Sequence, residues 1–124
     1  KANDLAAAEK DYTKAIHLNP AYATAHNNRG TVRFLRQDYA LALADYERAV
    51  ELNPDFVEAH FNCGLVKIHM ARHSEAIEDF NRVLTLDGEY KDAQTCRAFA
   101  LEKAEDPARV AQEQLRPLRS EHED

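Results

Sequence analysis

Tryptophan is absent from this chain of 124 residues, methionine occurs once, and there are only three glycines, four prolines and two cysteines. Two cysteines are too few for a disulfide framework, and in a chain with its own apolar core they fit a reducing, cytoplasmic setting. No apolar run approaches membrane-spanning length, and the N-terminal residues lack the charged-then-apolar layout of a signal peptide, so a soluble protein is expected. Positive charge is in deficit. The 16 Lys and Arg face 22 Asp and Glu, a formal net charge of -6, which disfavours nonspecific attraction to nucleic acid or anionic membrane and leaves room only for a local basic patch. A length of 124 residues with 44% hydrophobic content suits one domain with a modest core. Lys1 stands where an initiator Met would, and the reading is of a processed, trimmed or partly ordered longer chain.

The chain repeats itself. Positions 34 apart carry Ala8, Ala42 and Ala76, then Tyr12, Tyr46 and Phe80, then Ala15, Ala49 and Val83, and then Pro20, Pro54 and Gly88. The same spacing relates Asp11, Asp45 and Asp79, Ala25, Ala59 and Ala93, and Gly30, Gly64 and Ala98. Small residues where helices approach, rings where a gap needs filling and a breaker at the end of each unit describe stacked helix pairs. Helical periodicity with breaks at Pro20, Gln37-Asp38, Pro54, Arg72-His73, Asp87-Gly88 and Asp106-Pro107 predicts seven helices, near 4–18, 21–36, 39–52, 55–70, 74–86, 89–105 and 107–115. Residues 118–124 have no apolar period and read as an acidic tail.

The unit spanning 23–56 resembles a tetratricopeptide repeat, with Gly30, Tyr39, Ala42, Tyr46, Ala49 and Pro54 where that family places Gly, Tyr, Ala, an aromatic, Ala and Pro. The unit spanning 57–90 keeps Gly64, Ala76 and Phe80 but has Val83 and Gly88 for the second Ala and the Pro. The family's early Trp and Leu are replaced by His26 and Arg29, then by His60 and Cys63. The resemblance implies an all-α, right-handed superhelical stack of antiparallel helix pairs, an α-solenoid, in one domain over 1–117. Residues 1–22 are read as the second helix of a truncated repeat, 23–56 and 57–90 as full repeats, and 91–117 as a further helix plus a cap. Pro107, Gln114 and Pro117 depart from the repeat pattern, which makes that last helix a cap.

Gly30 and Gly64 sit mid-helix, where glycine costs about 1 kcal/mol relative to alanine, so close packing against Ala42 and Ala76, with Tyr46 and Phe80 beside them, must compensate. Family members often carry Arg and Asp at the places of Arg29 and Asp45. That implies an ion pair, against the alternative of two separate exposed charges. Cys63 replaces the arginine in the next unit, leaving Asp79 to find another donor or solvent.

In the family the first helix of each repeat lines the concave side. On this chain the resemblance assigns to it Thr24, Asn27, Asn28, Thr31, Phe34 and Leu35 from the first full repeat. Glu58, Phe61, Asn62, Leu65, Ile68 and His69 follow from the second, and Asp92, Thr95, Cys96, Phe99, Glu102 and Lys103 from the third. Phe34, Phe61, Leu65, Ile68 and Phe99 would make an apolar groove, unless the C-terminal helix covers part of it. Asn28 and Asn62 occupy equivalent positions one repeat apart and resemble the first rungs of an asparagine ladder that holds a peptide backbone. The alternative is that they bridge neighbouring helices. Asn28 matches the carboxylate clamp of chaperone-binding relatives, but the basic residues beside it are missing, since Glu58 and Asn62, then Asp92 and Cys96, stand at the places that follow.

These readings make the chain a peptide- or helix-binding adaptor or scaffold. The alternatives are a structural or self-associating segment of a longer repeat array and, more weakly, a co-chaperone-type receptor for acidic C-terminal peptides. The helix at 4–18 shows the pattern of one packed on both sides, so a further upstream helix or a second copy of the chain is expected against it. No enzyme, metal or cofactor is expected. His69 and His73 fall on different helices with no carboxylate to complete a site, Cys63 reads as a small core residue, and no phosphate loop or catalytic triad is present.

Overall fold

The computed structural model describes residues 2–104. Within them lie six helices and no strand: α1 Ala2–Leu18, α2 Ala23–Leu35, α3 Tyr39–Leu52, α4 Val57–His69, α5 His73–Leu86 and α6 Lys91–Ala104. The helix expected at 107–115 and the tail at 118–124 lie outside the described residues. Each helix packs on the next, so α2 with α3 and α4 with α5 form the two full repeats. The fold is an all-α solenoid of helix pairs.

Helices α2, α4 and α6 begin two residues later than their breakers suggest, because a polar side chain claims the junction. Asn19 Oδ1 accepts the Ala21 N–H at 3.2 Å while the Asn19 carbonyl accepts the Tyr22 N–H at 3.0 Å. Asn53 and Asp87 do the same for Asp55 with Phe56, and for Glu89 with Tyr90. These side-chain turns hold the backbone out of the helix for two residues. One turn into each helix, a second polar side chain returns to the same junction. With the proton on Nε2, His26 donates to the Pro20 carbonyl at 2.9 Å and His60 to the Pro54 carbonyl at 2.7 Å, and Gln94 Nε2 donates to the Gly88 carbonyl at 2.9 Å. The positions where the family's Trp is missing therefore serve as hydrogen-bonded braces.

The turns inside the repeats close differently. Gln37 and Ala71 have φ of 65° and 61°. Around them the Asp38 N–H reaches the Arg33 carbonyl at 2.9 Å, and the Arg72 N–H reaches that of Lys67 at 2.8 Å. This is a Schellman closure with a non-glycine residue in the left-handed position, which costs roughly 1–2 kcal/mol. Ala71→Gly removes that strain, offset by the greater freedom of glycine in the unfolded chain. A net stabilisation of about 0.5–1 kcal/mol is expected in urea unfolding, and a destabilised variant would contradict it.

Two clusters form the core. Ala42, Leu43, Tyr46, Cys63 and Val66 make one, and Ala76, Phe80, Val83, Ala93 and Ala100 the other. The glycines seat their rings directly. A Cβ on Gly30 would lie 2.8 Å from Tyr46 Cε1 and 3.2 Å from the Ala42 carbonyl oxygen, and one on Gly64 would lie 2.6 Å from Phe80 Cε1. Tyr46 and Phe80 are 2% and 0% exposed, whereas Tyr12, their counterpart on α1, is half-buried.

A charge network ties α1, α2 and α3 together. Arg29 donates through Nε and Nη2 to both oxygens of Asp45 at 3.0 and 2.8 Å, and through Nη1 to Thr13 at 3.2 Å. Arg33 donates to Asp45 at 3.0 Å and to Glu9 at 3.0 Å, and Glu9 also accepts from Arg36 at 2.7 Å. The hydrogen bond from Arg33 is the chief reason that the Glu9 carboxyl is held below its ordinary range. In the next repeat Asp79, which lost its arginine to Cys63, pairs with Lys67 at 2.9 Å. Lys67 stands one full repeat after Arg33, so the second arginine's place supplies the donor. Burial still pushes the Asp79 carboxyl up, with Lys67 pulling the other way.

Candidate functional site: the inner face of α2, α4 and α6

The stack has an inner side fixed by its contacts. Helix α2 touches α4 and α4 touches α6, whereas among the described residues no such contact joins α1 to α3 or α3 to α5. Helices close along one edge and separated along the other bend the stack towards α2, α4 and α6.

The residues assigned to that face divide by burial. Thr24, Leu35, Glu58, His69, Asp92, Thr95, Phe99, Glu102 and Lys103 are exposed. Asn28, Thr31, Phe34, Phe61, Asn62, Leu65, Ile68 and Cys96 are half-buried. Asn27 is buried at 6% exposure, and its place on an open groove is corrected: its Oδ1 accepts from Asn62 Nδ2 at 3.0 Å, joining α2 to α4. Asn62 is therefore tied to Asn27 and not presented beside Asn28 as a matching free rung. No side-chain hydrogen bond among the described residues engages Asn28. Thr31 is turned towards the core, with its hydroxyl 3.0 Å from the Tyr46 hydroxyl.

The apolar groove is narrower than the sequence suggests, because most of its members lean inward. Phe34 packs against the first core cluster and stacks on His69 with centroids 4.9 Å apart, while Tyr39 meets the His69 ring edge-on at 5.4 Å. Phe61, Ile68 and Cys96 pack against the second cluster, and Phe61 has the rings of Phe80 and Tyr90 at 5.7 and 5.2 Å. What remains open is Leu35 at 59% and Phe99 at 42% exposure, with half-buried Leu65 between their helices. Lys103 Nζ lies 5.5 Å over the Phe99 ring.

The charge on this face is acidic at one end. The cations of α2 and α4 are engaged elsewhere, Arg29 and Arg33 with Asp45 and Lys67 with Asp79. Glu58 and Asp92 occupy the first turns of α4 and α6. Burial pushes the Tyr90 hydroxyl up, and the charges of Glu58, Asp92 and Asp87 push it further. The Cys96 thiol is raised by burial and then by Asp92. Cys63, 3% exposed, is pushed up to about 12 by burial, so its thiolate is scarcely populated near neutral pH. His69 closes α4 and His73 opens α5, and among the described residues no group of three His, Cys, Asp or Glu converges on a metal position.

Helix pairs recurring at a constant spacing, a ring seated on a glycine in each full repeat and a continuous inner face define a peptide-repeat solenoid of the tetratricopeptide type. The TPR repeat family matches residues 30–67 and the tetratricopeptide repeat family residues 57–90, and the chain belongs to the tetratricopeptide repeat family. No curated protein matches the sequence. Among solved structures, the first TPR of Spaghetti (RPAP3) bound to the HSP90 peptide SRMEEVD is similar, with 25% identity, 82% of this chain and 81% of that chain covered and a TM-score of 0.79. The Arabidopsis OM64 TPR domain gives 27% identity, 82% and 84% coverage and a TM-score of 0.78. The second TPR domain of human RPAP3, in complex with the HSP70 peptide SGPTIEEVD, gives 26% identity, 76% and 78% coverage and a TM-score of 0.73.

Proposed function

We propose that the chain is a protein-interaction adaptor that holds a peptide or helix of a partner along the face of α2, α4 and α6 and performs no chemistry on it. The observation that carries this reading is the conjunction on one inner face of open apolar side chains, Leu35 and Phe99, with the unengaged amide of Asn28. An apolar strip contributes area, and a free amide can both donate to and accept from a peptide backbone. Similar TPR structures hold chaperone peptides, which supports a peptide as the kind of ligand. The proposal includes a reducing, cytoplasmic setting in which Cys63 and Cys96 stay free thiols.

Selection of binders from a random 12-residue peptide library tests it. Enriched peptides are expected to bind at least tenfold more weakly to Leu65→Glu and about threefold more weakly to Asn28→Ala, an amount typical of one hydrogen bond, with melting temperatures close to the parent. Binders indifferent to both substitutions would place recognition elsewhere.

A second reading, assembly through α1, rests on Tyr12. Its ring is half-buried where Tyr46 and Phe80 are sealed, so this face can accept another helix. Sedimentation across a hundredfold range of concentration checks it, and a monomer throughout excludes self-association through that face.

A further inference from the structure

Resting on the groove reading above, we infer that the partner segment is basic and apolar: a Lys or Arg side chain lies against Glu58 and Asp92, and an apolar side chain reaches Leu65 and Phe99. Glu58 and Asp92 are separated by one repeat length, as are Leu65 and Phe99, so each pair occupies matching places on α4 and α6, which touch. Both carboxylates stand in the first turn of their helix, which puts them at the same end of the groove. Along each helix the acidic and apolar members are seven positions apart in sequence, about 10 Å at about 1.5 Å per residue, the reach of about three residues of extended chain.

The local charge balance favours a cation. Arg29, Arg33 and Lys67 are consumed by Asp45, Glu9 and Asp79, so α2 and α4 present no free lysine or arginine to a ligand carboxylate. On α6, Arg97 is turned to Asn81 on α5, Lys103 lies over Phe99 and Lys91 is exposed at the first position, against the carboxylates of Glu58, Asp92 and Glu102. An acidic peptide such as SRMEEVD, held by a similar TPR structure, would bring like charge to Glu58 and Asp92, and like-charge juxtaposition selects against a partner as strongly as attraction selects for one. Carboxylates also suit the first turn of a helix on their own account, so the test separates that local role from recognition.

The same 12-residue library is selected against the full 124-residue chain, and enriched peptides, with SRMEEVD alongside, are titrated by fluorescence anisotropy. Enriched sequences are expected to combine Lys or Arg with an apolar residue about three positions away. Their affinity is expected to fall roughly fivefold to tenfold on the double substitution E58Q and D92N, the sum of two exposed ion pairs. It should weaken further with salt and stay unchanged on E78Q, an exposed acid on the outer helix α5. SRMEEVD is expected to bind at least tenfold more weakly than these peptides. Melting curves of the double variant close to the parent show that a loss is not one of fold. Enriched peptides that are acidic or uncharged, or whose affinity survives E58Q and D92N while still falling on L65E, would overturn the charge inference and leave the groove reading standing. Insensitivity to L65E as well would overturn both.

Discussion

Gly64→Leu is expected to destabilise the chain by about 3 kcal/mol, and Gly30→Leu by nearly as much, read as a shift in the urea unfolding midpoint. The reason is a collision that begins at the first added atom. A Cβ on Gly64 already stands 2.6 Å from Phe80 Cε1 and 2.7 Å from Cζ, and Phe80 is fully buried, so its ring has nowhere to swing. Alanine at either position gains about 1 kcal/mol of helix propensity yet meets the same ring, and a net loss of about 1 kcal/mol is expected. Leucine adds three more carbons and must part α4 from α5, at the upper end of the overpacking range of about 1–3 kcal/mol. A leucine variant with an unaltered midpoint would show that the rings do not depend on bare backbone beneath them.

The second large effect is expected at Asp45. Asp45→Ala strands Arg29 and Arg33, both 16% exposed, which share that carboxylate. Removing one side of a buried ion pair costs about 3–5 kcal/mol, and the lower figure applies because Glu9 and Thr13 still engage the two guanidiniums. Asp79→Ala should cost less, about 1 kcal/mol, because it frees a single lysine whose flexible stem can carry its ammonium to water and removes a carboxyl that burial already disfavours. The comparison is made by urea unfolding at neutral pH. Equal losses in the two variants would mean that the arginine pair adds nothing beyond one exposed contact.

The repeat makes much of the architecture readable from the sequence. A glycine and its ring that recur together in the next unit, as Gly30 with Tyr46 and Gly64 with Phe80 do, can mean little but the same packing twice, so the helix pairs and their order follow from spacing. Other features obey the period but escape notice because their chemistry varies: Asn19, Asn53 and Asp87 make one turn, and His26, His60 and Gln94 one brace. Lys67 is similar. Its place matches Arg33, which is not among the residues that carry the family resemblance, and its pairing with Asp79 emerges only when the helices are docked. The groove is least legible. Asn27 and Asn28 are neighbours about 100° apart around one helix, and which of them meets α4 depends on how the two helices cross. The inward lean of Phe34 and Phe61 likewise depends on rings brought in from elsewhere in the stack, His69 and Tyr39 in one case and Phe80 and the junction residue Tyr90 in the other.

The one-sided contact between alternate helices also has a mechanical consequence. Because α2, α4 and α6 touch while α1, α3 and α5 do not touch one another, the inner edge behaves as the spine of a hinge and the outer edge as its free leaves. On this packing, bending of the stack is expected to be taken up mainly in the outer gaps between α1, α3 and α5, with the spacing of α2, α4 and α6 changing least. A ligand lying along the spine would then meet a ruler of nearly fixed pitch, one helix pair to each step.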